Sequence, residues 1–295
     1  MKFLIVGLKK NPQLLRLQEE GKKRGHQVDG CLAADIVIRA ETDSFQVELK
    51  RGGRINEYDL IYLWAIGQRR WEWLMAADYL NQQHQVKIVN HKLISPGYQY
   101  YLTPASEYYK QTMANIRYPK SVVFFPGKGV KELVKNLGLP LIVKVSASRQ
   151  GRGIYKIETW DQFEKMITDQ QDEKTVLIAR EYIPNDGDIR IFTVGYKAVG
   201  AMKRTPKKGD FRSNISQGGK GNVFDLKRYP KVRQISEKLS RLTQTEIAGV
   251  DIMLHKESKL PYVLEINPGP QFLGLEKYTK TNAAFQIIKY FEDKI

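Results

Sequence analysis

The chain has 295 residues, 42% of them hydrophobic, and its 48 Lys and Arg against 32 Asp and Glu give a formal net charge of +16. That length supports a sizeable core and two or three domains, and the charge favours anionic partners without choosing among them. A single cysteine, Cys31, excludes an internal disulfide framework, and the apolar run 3–6 is too short for a signal core or a membrane span, so the expected location is cytoplasmic with no membrane partner.

Residues 1–103 read as an N-terminal α/β unit. An apolar strand at 3–6 leads to a helix that ends on Lys22, Lys23 and Arg24 and is closed by Gly25. Another strand at 59–64, a helix through Trp71, Trp73 and Leu80, and a strand at 86–89 continue the alternation, which implies a parallel sheet. Gly7 follows the first strand without a G-x-G-x-x-G pattern, so this is no dinucleotide fingerprint. The tryptophans near position 70 are expected mostly in the core or at an interface.

A tyrosine-rich linker precedes the second unit, 104–295, which divides into 104–180 and 181–295. A helix through Lys110, a strand at 121–125 and a helix at 131–137 come first. The strand 141–145 carries Lys144 in an apolar run, a position that packing explains poorly; if the strand borders a cleft, Lys144 can reach a phosphate. Ser146 to Gly153 then joins two strands. Such a glycine-rich hairpin is an ordinary turn on its own, but beside Lys144 it can act as a lid over phosphates, with Ser148, Gly151 and Gly153 approaching them and Arg149 and Arg152 adding charge.

Thr159 opens the next helix with a capping box. The segment Glu181, Tyr182, Ile183 is extended and suited to adenine, and Asp188 is placed to accept ribose hydroxyls. Strands at 189–194 and 197–202 form a hairpin, the polar stretch 205–221 is long enough for a functional loop, and helices cover 235–242 and 281–294. Strands at 251–254 and 262–266 form a second hairpin. Centring it on Ser258 sets Asp251 opposite Glu265, with Asn267 on the same face. Two opposed carboxylates destabilise a sheet unless a cation joins them, and an all-oxygen donor set suits Mg²⁺.

Taken in order, Lys144, the glycine loop, E-Y-I at 181–183, Asp188, GDFRSN at 209–214, AGVDI at 248–252 and E-x-N at 265–267 resemble the ATP-grasp ligases, and among them the RimK-type ribosomal-protein glutamate ligases. The resemblance covers roughly residues 100–295. It implies an α/β (α+β) ATP-grasp fold, with a pre-ATP-grasp domain at 1–103, a central lid subdomain at 104–180 and a metal-binding subdomain at 181–295. It also implies that Lys110 and Lys144 bind phosphate, that Arg212, Ser213 and Asn214 serve the nucleotide and the transition state, with Arg212, Asn214 and Lys144 catalytic, and that Asp251, Glu265 and Asn267 hold two Mg²⁺ or Mn²⁺ ions. A homo-oligomer is expected.

The implied reaction is ATP-driven amide formation through an acyl phosphate, adding L-glutamate to the carboxylate of a protein or peptide. Rival readings are a ligase for another amino acid or a small peptide, and a nucleotide-binding regulator without chemistry. Nucleic acid binding has only the charge in its favour. Two departures from the family stand out: Arg180 occupies a position commonly held by glutamine, and Pro268, Gly269 and Pro270 replace the usual residues after Asn267.

Overall fold

A computed structural model describes residues 1–91, 104–145, 153–170, 175–207 and 219–295. The chain opens with β1 (Lys2–Val6), α1 (Pro12–Lys23), β2 (Gln27–Cys31), a hairpin of β3 (Ile36–Ala40) and β4 (Phe45–Leu49), β5 (Leu60–Leu63), α2 (Arg70–His84) and β6 (Lys87–Val89). Four of these strands form the expected parallel sheet, in the order β2-β1-β5-β6. Both faces of this sheet are covered, which is why β1 and β5 are apolar almost without interruption. Trp64 and Trp73 are core residues, whereas Trp71 is 57% exposed.

The middle of the chain contains α3 (Pro104–Met113), β7 (Ser121–Phe124), α4 (Val130–Val134), β8 (Leu141–Val145), β9 (Ile154–Ile157), α5 (Trp160–Asp169) and β10 (Leu177–Glu181). Its strands make an antiparallel sheet in the order β7-β10-β8-β9. Thr159 and Gln162 form the expected capping box on α5. Leu141 and Val143 point into a separate core with Phe124, Phe163 and Leu177, so strand alternation leaves Ile142 and Lys144 on the opposite face.

The last part runs β11 (Asp188–Val194), β12 (Lys197–Thr205), β13 (Lys220–Val223), α6 (Pro230–Leu242), β14 (Ile247–Leu254), β15 (Pro261–Asn267), α7 (Leu273–Tyr278) and α8 (Ala283–Lys294). Its sheet has the order β13-β12-β11-β14-β15. One face packs on α6. The other shares a core with the first sheet, in which Phe3, Ile5, Tyr62 and Trp64 meet Phe192, Phe272, Ile287 and Phe291. An ion pair from Arg24 and a hydrogen bond from His26, both to Glu292, fasten the same junction. No helix among the described residues is long and apolar enough to cross a membrane.

Candidate active site

Two β-bulges set the geometry of the site. Along β14 and β15, Leu254 pairs with Pro261 and Ile252 with Val263, a register that would place Asp251 opposite Leu264. Leu264 is an extra residue on β15, so Asp251 pairs with Glu265 instead. The expected pairing is therefore present, but a bulge produces it and not a hairpin centred on Ser258. Along β11 and β12, Val194 pairs with Lys197 and Thr193 with Ala198, which by simple counting would set Asp188 against Lys203. A register shift after Phe192 brings Arg204 opposite Asp188.

These shifts gather charged groups on one face. Arg190 stands opposite Asp251 across β11 and β14, and its Nε and Nη2 donate to the two Asp251 oxygens at 2.5 and 2.6 Å. Arg204 donates from Nε and Nη2 to both Asp188 oxygens at 2.6 and 2.7 Å, and its Nη2 also lies 3.0 Å from Asp251 Oδ2. Burial would lower the Arg204 pKa, but Asp251 and Asp188 outweigh it and hold the guanidinium firmly charged. Lys144 reaches across from β8, and its Nζ is 2.9 Å from Glu265 Oε2. Asn267 Nδ2 donates to Glu265 Oε1 at 3.0 Å. The Lys144 ammonium is the main reason that the Glu265 carboxyl sits far below the usual carboxylate range; burial opposes it and the Asn267 hydrogen bond assists.

A face of α3 completes the cluster. Tyr108 OH accepts from Arg180 Nε and Nη2 at 2.8 and 2.5 Å, and Arg180 Nη1 donates to the carbonyl of the bulge residue Leu264 at 3.3 Å. The departure at Arg180 thus has a local role: it ties α3 and β10 to the bulge that aligns Glu265. Glu107 accepts from Gln111 Nε2 at 2.9 Å. Burial pushes the Glu107 carboxyl up to about 7, with Glu265 adding to the rise and Arg180 and Lys144 opposing it.

Lys144, Asp251, Glu265 and Asn267 thus share one cluster. Lys110 is exposed on α3, whereas the helix face toward the cluster carries Glu107, Tyr108 and Gln111. Asp188 is only 4% exposed and both its oxygens accept from Arg204, so in this structure it positions Arg204. Glu181 ends β10, where its side chain and N–H both bond the backbone of Lys120, at 2.8 and 2.9 Å. Tyr182 and Ile183 follow outside regular secondary structure, and Gly153, just before β9, adopts φ +72°. Ser148, Gly151, Arg212, Ser213 and Asn214, with Arg149 and Arg152, lie outside the described residues.

Arg190 and Glu107 were missed by sequence reasoning, and the pairing of Arg204 with Asp188 was not foreseen. A signal existed for Arg190, since Asp188 and Arg190 alternate onto one strand face. Arg204 could not be placed without the bulge. The donor set of Asp251, Glu265 and Asn267 is oxygen-only and fits a hard divalent cation. Among the described residues no group of three or more His, Cys, Asp and Glu could hold a metal.

A family model described as the RimK-like ATP-grasp domain matches residues 110–291. A probable alpha-L-glutamate ligase of Parasynechococcus marenigrum (strain WH8102) is 29% identical over 99% of this chain and 62% of its own length. Another, of Vibrio atlanticus (strain LGP32), is 28% identical over 94% of this chain and 90% of its own length. Probable alpha-L-glutamate ligase 2 of Hahella chejuensis (strain KCTC 2396) is 39% identical over 52% of this chain, which spans only half (50%) of that relative. The solved structure of the ATP-grasp ligase PsnB complexed with minimal precursor superposes with a TM-score of 0.74 at 17% identity, over 99% of both chains. The macrocyclase MdnC from Microcystis aeruginosa MRC, bound with precursor peptide MdnA, gives 0.73 at 12% identity, over 99% of this chain and 100% of that one. These structures share the α+β ATP-grasp fold throughout, and with the family model running from α3 into α8, this chain belongs to the RimK-like ATP-grasp family.

Proposed function

We propose that this chain is an ATP-dependent carboxylate–amine ligase that adds L-glutamate to the carboxylate of a protein or peptide. The observation that carries the proposal is the contact between Lys144 and Glu265. It sets a cation from the middle sheet against the oxygen donors of the last sheet, and a nucleoside triphosphate needs both kinds of group for its phosphates. The probable alpha-L-glutamate ligases among the relatives support the amino acid, and the structures of PsnB with precursor peptide PsnA2 and of MdnC with precursor peptide MdnA support a peptide acceptor.

In this reading the acceptor carboxylate attacks the γ-phosphorus, the bond to the bridging oxygen breaks and ADP leaves. The amine then attacks the carbonyl carbon of the acyl phosphate, loses a proton, and inorganic phosphate departs. Glu181, Tyr182 and Ile183 would seat the adenine through backbone groups. Lys144 would neutralise phosphate charge, and Arg212, Ser213 and Asn214 would serve the transition state. Asp251, Glu265 and Asn267 would hold the Mg²⁺ or Mn²⁺ ions, two in the family reading, which when bound supply charge neutralisation between the phosphates. No protein nucleophile is required, consistent with a buried Cys31 whose thiol is pushed up to about 12, chiefly by burial.

The test is an amino-acid panel with ATP, Mg²⁺ and a set of peptides bearing free carboxylates, with products read by mass. Glutamate should give amide product, aspartate less and glutamine hardly any, because an unpaired cation in a closing site discriminates strongly against the neutral analogue. Preference for a neutral or basic amino acid would overturn the glutamate assignment, and ADP formation with no dependence on any amine would overturn the ligase reading.

A further inference from the structure

Three carboxylates of the cluster are matched by three cations of the chain itself: Asp188 and Asp251 by Arg204 and Arg190, and Glu265 by Lys144. Asp251, one of the proposed metal ligands, is 4% exposed and has both oxygens engaged by guanidinium groups. A divalent ion reaching Asp251 alone would have to displace Arg190 and leave that guanidinium unpaired beside a doubly charged neighbour, which is strongly unfavourable at low solvent exposure. A nucleotide changes the balance, because its phosphates supply new partners for the displaced guanidinium and ammonium.

We infer that the site is held closed to free metal, with Arg190 as the positioning residue that keeps Asp251 from a divalent ion until nucleotide phosphates arrive. This inference rests on the nucleotide-binding reading of the cluster given above. The Arg190 fork is built into the sheet. Its register position faces Asp251, and its aliphatic stem lies over Gly249, where an added Cβ would come within 3.0 Å of Arg190 Cδ. Arg204 serves both aspartates, so Asp251 keeps a partner when Arg190 lets go. By linkage, whatever factor nucleotide contributes to metal affinity, metal contributes to nucleotide affinity.

The experiment measures Mn²⁺ binding by electron paramagnetic resonance, with and without ADP, in the wild-type chain, Arg190→Gln and Lys144→Met. Wild type should bind Mn²⁺ at least tenfold more tightly with ADP than without it. Arg190→Gln should raise the affinity for Mn²⁺ alone about tenfold and shrink the ADP effect by a similar factor. Lys144→Met, at the more open Glu265, should raise Mn²⁺ affinity in the same direction and serves as the second reading if Arg190→Gln does not fold. Equal Mn²⁺ affinity with and without ADP in wild type, or no gain in the folded variants, would overturn the inference while leaving the ligase reading in place. Failure of wild type to bind ADP with Mn²⁺ at all would overturn both.

Discussion

Gly269→Ala tests whether the N-terminal unit braces the site. Pro268 O accepts from Tyr62 OH at 3.0 Å and from Asn90 Nδ2 at 3.1 Å, so two residues of that unit hold the segment just past Asn267. Gly269 lies so close to Trp64 that an added Cβ would meet its carbonyl oxygen at 2.4 Å and its ring at 2.6 and 2.8 Å. A backbone carbonyl at the end of a buried strand cannot step aside, and Trp64 is itself packed edge-on against Phe272. Overpacking of this kind costs about 1–3 kcal/mol, and the backbone clash places this case near the upper end. For a chain of this size that is a fall in Tm of roughly 3–5 °C. Asn267 should shift with the segment, and a displacement of about 1 Å near the reacting groups can cost on the order of a hundredfold in turnover. Thermal melts and ADP-release rates check both, with Gly127→Ala as the control, since nothing lies within 4 Å of its added Cβ. Wild-type Tm and turnover in Gly269→Ala would refute the bracing argument.

Asp251→Asn and Glu265→Gln should part company in stability. The first leaves Arg190 without its buried carboxylate and should cost about 3–5 kcal/mol. The second breaks a pair that is 23% and 35% exposed and should cost no more than about 1 kcal/mol, as paired melts would show. Glu107→Gln should change the pH dependence of stability. The folded Glu107 carboxyl is raised from 4.5 to about 7, so its stabilising contribution is complete below pH 4.5 and is lost as pH rises through 7. The glutamine variant stays neutral, and its Tm should decline less than that of wild type between pH 5 and 8.

Much of the cluster was legible because a few residues contradict their local pattern. Lys144 interrupts an apolar strand, and Asp251 and Glu265 interrupt two more, so each asked for a partner that packing does not supply. Partners from the chain itself were harder to see. Arg204 reaches Asp188 only because a bulge shifts β12 by one residue, and the mixed run of β12 carries no mark of it. Nor did composition show that the first sheet shares its core with the last, since the apolar faces of Phe3, Tyr62 and Phe291 carry no record of which element they meet.

The most direct test of the ligase account follows an oxygen atom. A peptide acceptor identified in the panel is labelled with ¹⁸O in its carboxylate and incubated with the protein, ATP, Mg²⁺ and L-glutamate. If the carboxylate is activated as an acyl phosphate, amide formation transfers one labelled oxygen from each acceptor to inorganic phosphate, and ADP accumulates in step with product. Unlabelled phosphate, or release of AMP and pyrophosphate with the label on AMP, would contradict the account.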